Sequence, residues 1–461
     1  MTPPPGSTPP RSAPSVAEEI NFDGLVGPTH NFGGLSQGNV ASIASKGRVS
    51  NPRAAALQGL AKMRLMMRLG VPQGILPPHE RPHIWALRRL GFSGADAAIV
   101  EAAFKADPTL LANLSSASAM WAANAATVSP SADTADGRVH ITPANLGAKL
   151  HRSIEAGFSL LLLRAIFADP AHFAVHDFLP QSGKFGDEGA ANHMRLAPNH
   201  GAPGVEIFVY GRSAFDATAT DGGFEPRQAL EASQAVARLH GLGEGKALFL
   251  RQSREAVDAG AFHNDVVAVA NGPLLLAHER AFEAGEAAFA VIASACPFGA
   301  FQIIAREADV PLTEAVRSYL FNSQLVSRPG KPGSMALILP EDVKSSPAAL
   351  AFAQGLVERG TTPIDELVFV DLRQSMWNGG GPACLRLRIA LTAAERAAVQ
   401  GKVLLDETLL ARLEVWVGRH YRDRLTCADL GDPALLEEGR TALDELSGLL
   451  GLGSIYPFQR A

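Results

Sequence analysis

The chain has 461 residues, 47% of them hydrophobic, and its 41 basic and 46 acidic side chains leave a net charge of -5. That length and apolar content bury one large core or two to three smaller ones and exclude a disordered polypeptide. An acidic balance with no basic stripe interleaved with aromatics argues against nucleic acid as a partner. No apolar run reaches the roughly 20 residues that a membrane helix needs.

Residues 1 to about 16 hold six prolines among serine and threonine. They carry too little apolar surface to repay ordering and lack the apolar stretch of a signal peptide, so residues 1–18 are expected to form a disordered tail ahead of a single domain over 19–461. Asn51-Pro52 reads as an N-cap followed by a first-turn proline, opening an amphipathic helix to Leu69 that stops at Gly70. Strands are expected over 205–210, 247–251, 266–270, 274–277, 335–339, 367–372 and 385–391, each rich in Val, Ile, Leu or Phe and bounded by Gly, Pro or Asn. Helical spacing recurs over 392–399, 405–424 and 433–450. Strands and helices intermix throughout, which is an α/β or α+β pattern, and Arg328 to Gly333 reads as a surface loop rather than a hinge.

The three cysteines, Cys296, Cys384 and Cys427, are odd in number and far apart, which argues against a disulfide framework or a structural zinc site and fits a reducing cytoplasm. Cys296 and Cys427 read as inert. Cys384 is different, because it follows Asn378-Gly379-Gly380-Gly381-Pro382-Ala383 and precedes an alternating strand. The glycines are expected to let backbone amides approach a ligand, with the thiol at the strand's mouth.

Two further clusters supply polar groups. In Phe262-His263-Asn264-Asp265, the i, i+2 spacing at a strand entrance places His263 and Asp265 on one face, where His263 could move a proton; a hydrogen-bonded structural histidine is the alternative. In Gly186-Asp187-Glu188-Gly189, Glu188 either caps a helix or orients the histidine and supports its charged form. Asp23, before Gly24, is either a turn former or a carboxylate for a cation. One histidine and one aspartate fall short of a metal site, and no cofactor is indicated. A papain-like hydrolase would open a helix at its nucleophile, whereas the residues after Cys384 alternate.

Taken together with Asn21 to His30, Ser131 to Thr134, Tyr319 to Gln324 and Tyr456 to Arg460, these segments resemble those of the N-succinylarginine dihydrolase family from about Ile20 to the C-terminus. The resemblance implies a pentein fold, a five-bladed α/β propeller of ββαβ units around a central active site. It implies Cys384 as nucleophile, His263 as general acid/base and Glu188 as its partner. Substrate contacts carry over to Gly33, Gly34, Leu35, Ser36, Gln37, Gly38, Asn39, Val40, Ala41 and Ser42, and to Asn124, His151, Arg152, Arg227, Asp265 and Asn378, with Asp23 a possible guanidinium contact. The implied activity consumes two waters and converts N-succinyl-L-arginine to N-succinyl-L-ornithine, two ammonia and carbon dioxide in arginine catabolism, in a cytoplasmic homodimer. A single-round deiminase, an amidinotransferase and a non-catalytic guanidine-binding protein are the competing readings.

Overall fold

The computed structural model describes residues 16–215 and 223–460. The expected tail lies outside the described residues as far as residue 15. The chain enters the fold at β1 (Ala17–Gly24), so Ala17 and Glu18 belong to a strand rather than to the tail.

The strands form five three-stranded sheets that share one construction. In each, an inner strand pairs antiparallel with a middle strand, and the middle strand pairs parallel with an outer one. The first sheet joins β15 (Arg386–Thr392) to β1 and β2 (Gln73–Leu76). The second holds β3 (Ala126–Ser129), β4 (Val139–Pro143) and β5 (Phe173–Val175). The third holds β6 (His193–Leu196), β7 (Val205–Tyr210) and β8 (Ala247–Arg251). The fourth holds β9 (Ala268–Asn271), β10 (Leu274–His278) and β11 (Phe301–Ala305), and the fifth β12 (Gln324–Ser327), β13 (Met335–Pro340) and β14 (Ile364–Val370). Parallel neighbours need a crossover, and a helix supplies it in every module: Pro52–Arg68, Ala156–Ile166, Leu230–Leu239, Glu286–Ala295 and Pro347–Glu358. The unit is therefore strand, strand, helix, strand, repeated five times, as the propeller expectation requires.

Contacts between inner strands and their approaches close the modules into a ring. Ala123 N–H donates to Cys384 O at 3.0 Å, Ser129 Oγ to Glu206 Oε2 at 2.6 Å and Ala197 N–H to Gly272 O at 2.9 Å. Asn271 Nδ2 and Arg388 Nη2 then both donate to Leu325 O, at 2.9 and 2.8 Å. The ring is locked where the chain's two ends meet, because β1 lies against β15 with Ile20 opposite Ile389 and Phe22 opposite Leu387. Phe22 is sealed from solvent and meets Phe167 edge-on at 5.4 Å. Gly74 stands opposite it in β2 because a Cβ there would strike the Phe22 ring.

All the expected strands are present, with their ends shifted by a few residues. One difference matters for the site. Val266 belongs to a short 3-10 turn, Asn264–Val266, so Asp265 sits in that turn and His263 just ahead of it, before β9 begins at Ala268. The Asn51 cap is as expected: its side chain accepts from Ala54 N–H, and the helix runs Pro52–Arg68. The later helices are Ala393–Ala397, Glu407–His420 and Pro433–Leu449. Arg328 to Gly333 forms the turn between β12 and β13. Among the described residues no helix is long and apolar enough to cross a membrane.

Candidate active site

The polar residues singled out in the sequence meet at one end of the inner strands. Asn124 precedes β3, Glu188 precedes β6, His263 and Asp265 precede β9, and Cys384 precedes β15. A fifth residue, Asn322, holds the corresponding place before β12. Strands of one ring pointing the same way bring their approach turns to a common centre, which is why positions spread over the whole sequence become neighbours.

His263 Nε2 lies 2.7 Å from Glu188 Oε2, and both side chains are buried. The carboxylate accepts from Nε2–H, which leaves Nδ1 as the nitrogen without a protein partner. Burial opposes the charge on Glu188, but the His263 hydrogen bond and the charges of His263, Arg227 and Arg152 outweigh it and hold the carboxyl at about 2. Glu188 makes no capping bond to the 3-10 turn that follows it, so the helix-cap alternative falls away. Its own N–H is tied to Gln228 Oε1 at 2.7 Å, which fixes the backbone that aims it.

Cys384 is 3% exposed. Its thiol is 3.4 Å from Asp265 Oδ2, as donor, and 3.2 Å from Asn322 Nδ2, as acceptor. Burial and the Asp265 charge push the thiol well above its ordinary range, so it is protonated in the unliganded protein. Burial also raises the Asp265 carboxyl, and its Oδ1 has no partner among the described residues. A thiol facing an underused carboxylate is poised for a cation: a guanidinium seated there would pair with Asp265 and favour the thiolate.

A cavity of about 30 Å³ opens beside Cys384 and His263. Of the expected substrate residues, Gly33, Gly34, Leu35, Ser36, Asn39, Ser42, Asn124, His151, Arg152, Arg227 and Asn378 line it. Gln37, Gly38, Val40, Ala41 and Asp265 do not; Gln37 and Val40 are exposed, Val40 because the short helix Val40–Ala44 presents only one face inward. Asp23 lies inside β1 rather than in a turn, and Lys62 Nζ donates to its Oδ2 at 2.6 Å with both groups sealed from solvent, while its Oδ1 has no partner among the described residues.

The two arginines of the cavity differ. Arg152 is held by buried Glu155, with Nε to Oε1 at 3.0 Å and Nη2 to Oε2 at 3.3 Å, and gives one further bond to Asn124. Arg227 is 3.9 Å from Glu188, lies over the Phe262 ring at 4.8 Å and donates to Ser36 Oγ at 2.7 Å. Arg227 is thus the cation with donors to spare for an anionic ligand, whereas Arg152 is largely neutralised.

The glycines of the loop Gly379 to Gly381 lie against side chains from distant segments. A Cβ at Gly379 would strike Asn39, at Gly380 the Trp121 indole and at Gly381 Asn322. The glycines admit Asn39 and Trp121, which line the cavity with Gly379, and Asn322, which bonds to Cys384. Gly379, at φ 85°, also needs the backbone freedom. Sequence reasoning missed the parts played by Asn322, Trp121, Phe262 and Glu155; Asn322 lay in a recognised segment, but only its place before β12 marks it. Among the described residues no cluster of His, Cys, Asp or Glu is arranged to hold a metal ion.

Five strand-strand-helix-strand modules closed into a ring, with a thiol, an imidazole and carboxylates gathered at its centre, define an enzyme of the pentein class. The profile of the family described as succinylarginine dihydrolase matches residues 16–459. The N-succinylarginine dihydrolase of Nitrosospira multiformis is 55% identical over 446 residues, 96% of this chain and 99% of that protein. Those of Burkholderia thailandensis and Chromohalobacter salexigens are 54% and 52% identical, again over 96% of this chain, and over 100% and 98% of theirs. A solved domain of a cyanobacterial arginine dihydrolase aligns with 80% of this chain and 97% of its own length, at 16% identity and a TM-score of 0.47. The chain belongs to the succinylarginine dihydrolase family.

Proposed function

We propose that the protein hydrolyses N-succinyl-L-arginine with two waters, giving N-succinyl-L-ornithine, two ammonia and carbon dioxide, as a step of arginine catabolism. The observation that carries this reading is the pairing of a buried thiol with Asp265 and of His263 with Glu188, with Cys384 and His263 lining one cavity together with an unspent arginine, Arg227. The guanidinium carbon is electron-poor and planar, so Asp265 can grip its N–H edge while the Cys384 sulfur attacks from one face. The thiol proton passes to His263 Nδ1, the C–S bond forms and one C–N bond breaks, and Nδ1–H gives the departing nitrogen that proton. Nδ1 then takes a proton from water, the C–O bond forms, and the C–S bond breaks to leave a ureido group. A second round on that ureido carbon expels the other ammonia, and the resulting carbamate loses carbon dioxide.

The far end of the substrate carries two carboxylates. Arg227, the amide of Asn378, His151 and the backbone near Gly33 and Gly34 form the polar wall suited to them, with His151 kept neutral by burial beside Arg152 and Arg227. Free arginine would place an ammonium there, and leaving such a wall unpaired costs several kcal/mol, about 10²-fold or more in kcat/KM. Arg227→Ala should raise KM at least tenfold while changing kcat much less. We extend the proposal to a single catalytic domain that works as a homodimer in the cytoplasm, for which light scattering of the purified protein is the check.

The deciding measurement is ammonia released per N-succinyl-L-arginine consumed, in parallel with L-arginine and with Cys384→Ser protein. Two ammonia from the succinylated substrate, little from arginine and none from the variant is the expected result. One ammonia would make the protein a single-round deiminase. None from either substrate would overturn the enzymatic reading in favour of a guanidine-binding protein.

A further inference from the structure

A second cavity, of about 80 Å³, lies behind the nucleophile in the bore of the ring. Its walls are the inner strands themselves: Arg386, Arg388 and Ala390 alternate along β15, Arg195 comes from β6, and Ala268 to Asn271 from β9. Asp265 lines this bore and also receives the Cys384 thiol, so one carboxylate separates it from the front cavity.

The bore's polar groups fall into two sets. Arg195 is fully engaged by Asp133, with Nη2 to Oδ1 at 3.1 Å, and Arg388 gives bonds to Glu19, Ala270 O and Leu325 O at 3.0, 2.6 and 2.8 Å. Arg386, only 9% exposed, makes no side-chain hydrogen bond or ion pair among the described residues, and its Nε is buried without a partner. Asp265 Oδ1 and Asn264 Oδ1 are buried acceptors in the same condition. Buried polar groups left this way in a roomy cavity call for a small occupant, and this set needs both an acceptor and donors. Water supplies both, and the space holds several molecules at roughly 10–15 Å³ each. Ammonia has the same pair of capacities.

We propose that the axial bore is a hydrated well through which the small reactants and products, water inward and ammonia outward, pass to and from the reacting carbon by way of Asp265. This rests on the hydrolytic function proposed above. Each round brings in one water, whose oxygen bonds to the carbon as the C–S bond breaks, and sends out one ammonia, which carries the proton received from His263. The front cavity, at about 30 Å³, is the smaller of the two, and Asp265 is the group that faces both the Cys384 thiol and the larger bore. The bore is the polar space on the other side.

The test fills the outer part of the bore. Ala390 is half-buried and takes no part in the site, so Ala390→Ser, Ala390→Phe and Ala390→Trp form a size series. The expected result is a kcat that is unchanged in the first and falls progressively, by at least fivefold in the last. KM should stay within twofold, and acid-quenched enzyme should show more covalent adduct on Cys384 by mass spectrometry. Equal kcat and adduct levels across the series would overturn the proposal. A crystal structure of the unsubstituted protein gives an independent reading should a large side chain prevent folding: ordered water in the bore is expected, and a dry bore would overturn it. Failure of the hydrolytic function is distinct, since the unsubstituted protein would then release no ammonia from N-succinyl-L-arginine.

Discussion

Replacing Glu188 by glutamine isolates the charge behind His263 while keeping an oxygen to accept its Nε2–H. The Glu188 carboxyl is lowered from 4.5 to about 2 in spite of complete burial, because His263, Arg227 and Arg152 favour its charged form. At about 1.4 kcal/mol per pH unit, that difference is about 3 kcal/mol of interaction available only to a charged carboxylate. The imidazole is called on to carry a proton in each round, and the protonated ring loses its counter-charge in the variant. A loss of that size corresponds to about 100-fold in kcat. The assay is ammonia release at saturating N-succinyl-L-arginine across pH 5.5 to 9.5, normalised to folded protein by circular dichroism. A kcat within threefold of the parent across that range would refute the reasoning, and Glu188 would then be a structural partner only.

Burial and the Asp265 charge together keep the thiol protonated, and Asp265→Asn removes the second, so alkylation of Cys384 by iodoacetamide at pH 8 should accelerate at least threefold while turnover is lost; an unchanged rate would separate Asp265 from the thiol's acidity. Lys62→Met leaves Asp23 buried without its partner and should destabilise the fold by about 3–5 kcal/mol in urea denaturation. Lys62→Met with Asp23→Leu should recover most of that loss, and failure to recover any would mean the pair does more than balance charge. Burial, together with the neighbouring Glu188 charge, raises the Asp187 carboxyl from 3.8 to about 6, against the hydrogen bonds from Gln228 and Gly189. The folded state therefore holds this proton more tightly than the unfolded chain. Stability is fully present below about pH 3.8 and declines as pH rises towards 6, by up to about 3 kcal/mol. Asp187→Asn should thus gain stability over the parent at pH 7.5 but not at pH 4, and an equal difference at both would sink that account.

The strands that were legible in the sequence are mostly middle ones, such as β7, β10 and β13, which have a strand on either side and are largely buried, with the outer β8 and β14. The inner strands were hard to read. β6 runs His193-Met194-Arg195-Leu196 and β3 Ala126-Thr127-Val128-Ser129, and such short, polar stretches match no strand pattern because one face lines the hydrated bore. Only β9 and β15 of this set were foreseen. The same circumstance hid Arg386, whose alternation with Leu387 looked like an ordinary half-exposed strand.

Cys384, His263 and Glu188 could be named from sequence because each stands in a distinctive local setting and the segments around them resemble one family throughout. Local chemistry also fixed the Asn51 cap and the apolar strands, since these depend on near neighbours. What the sequence could not decide is which polar groups find partners. Asp23 was open to a guanidinium until the helix Pro52–Arg68 set Lys62 against it, and Arg152 looked as available as Arg227 until Glu155 took its fork. Those outcomes depend on contacts between distant segments brought together by ring closure. At ångström separations, such closure alone determines whether a buried charge is spent on the fold or kept for a ligand.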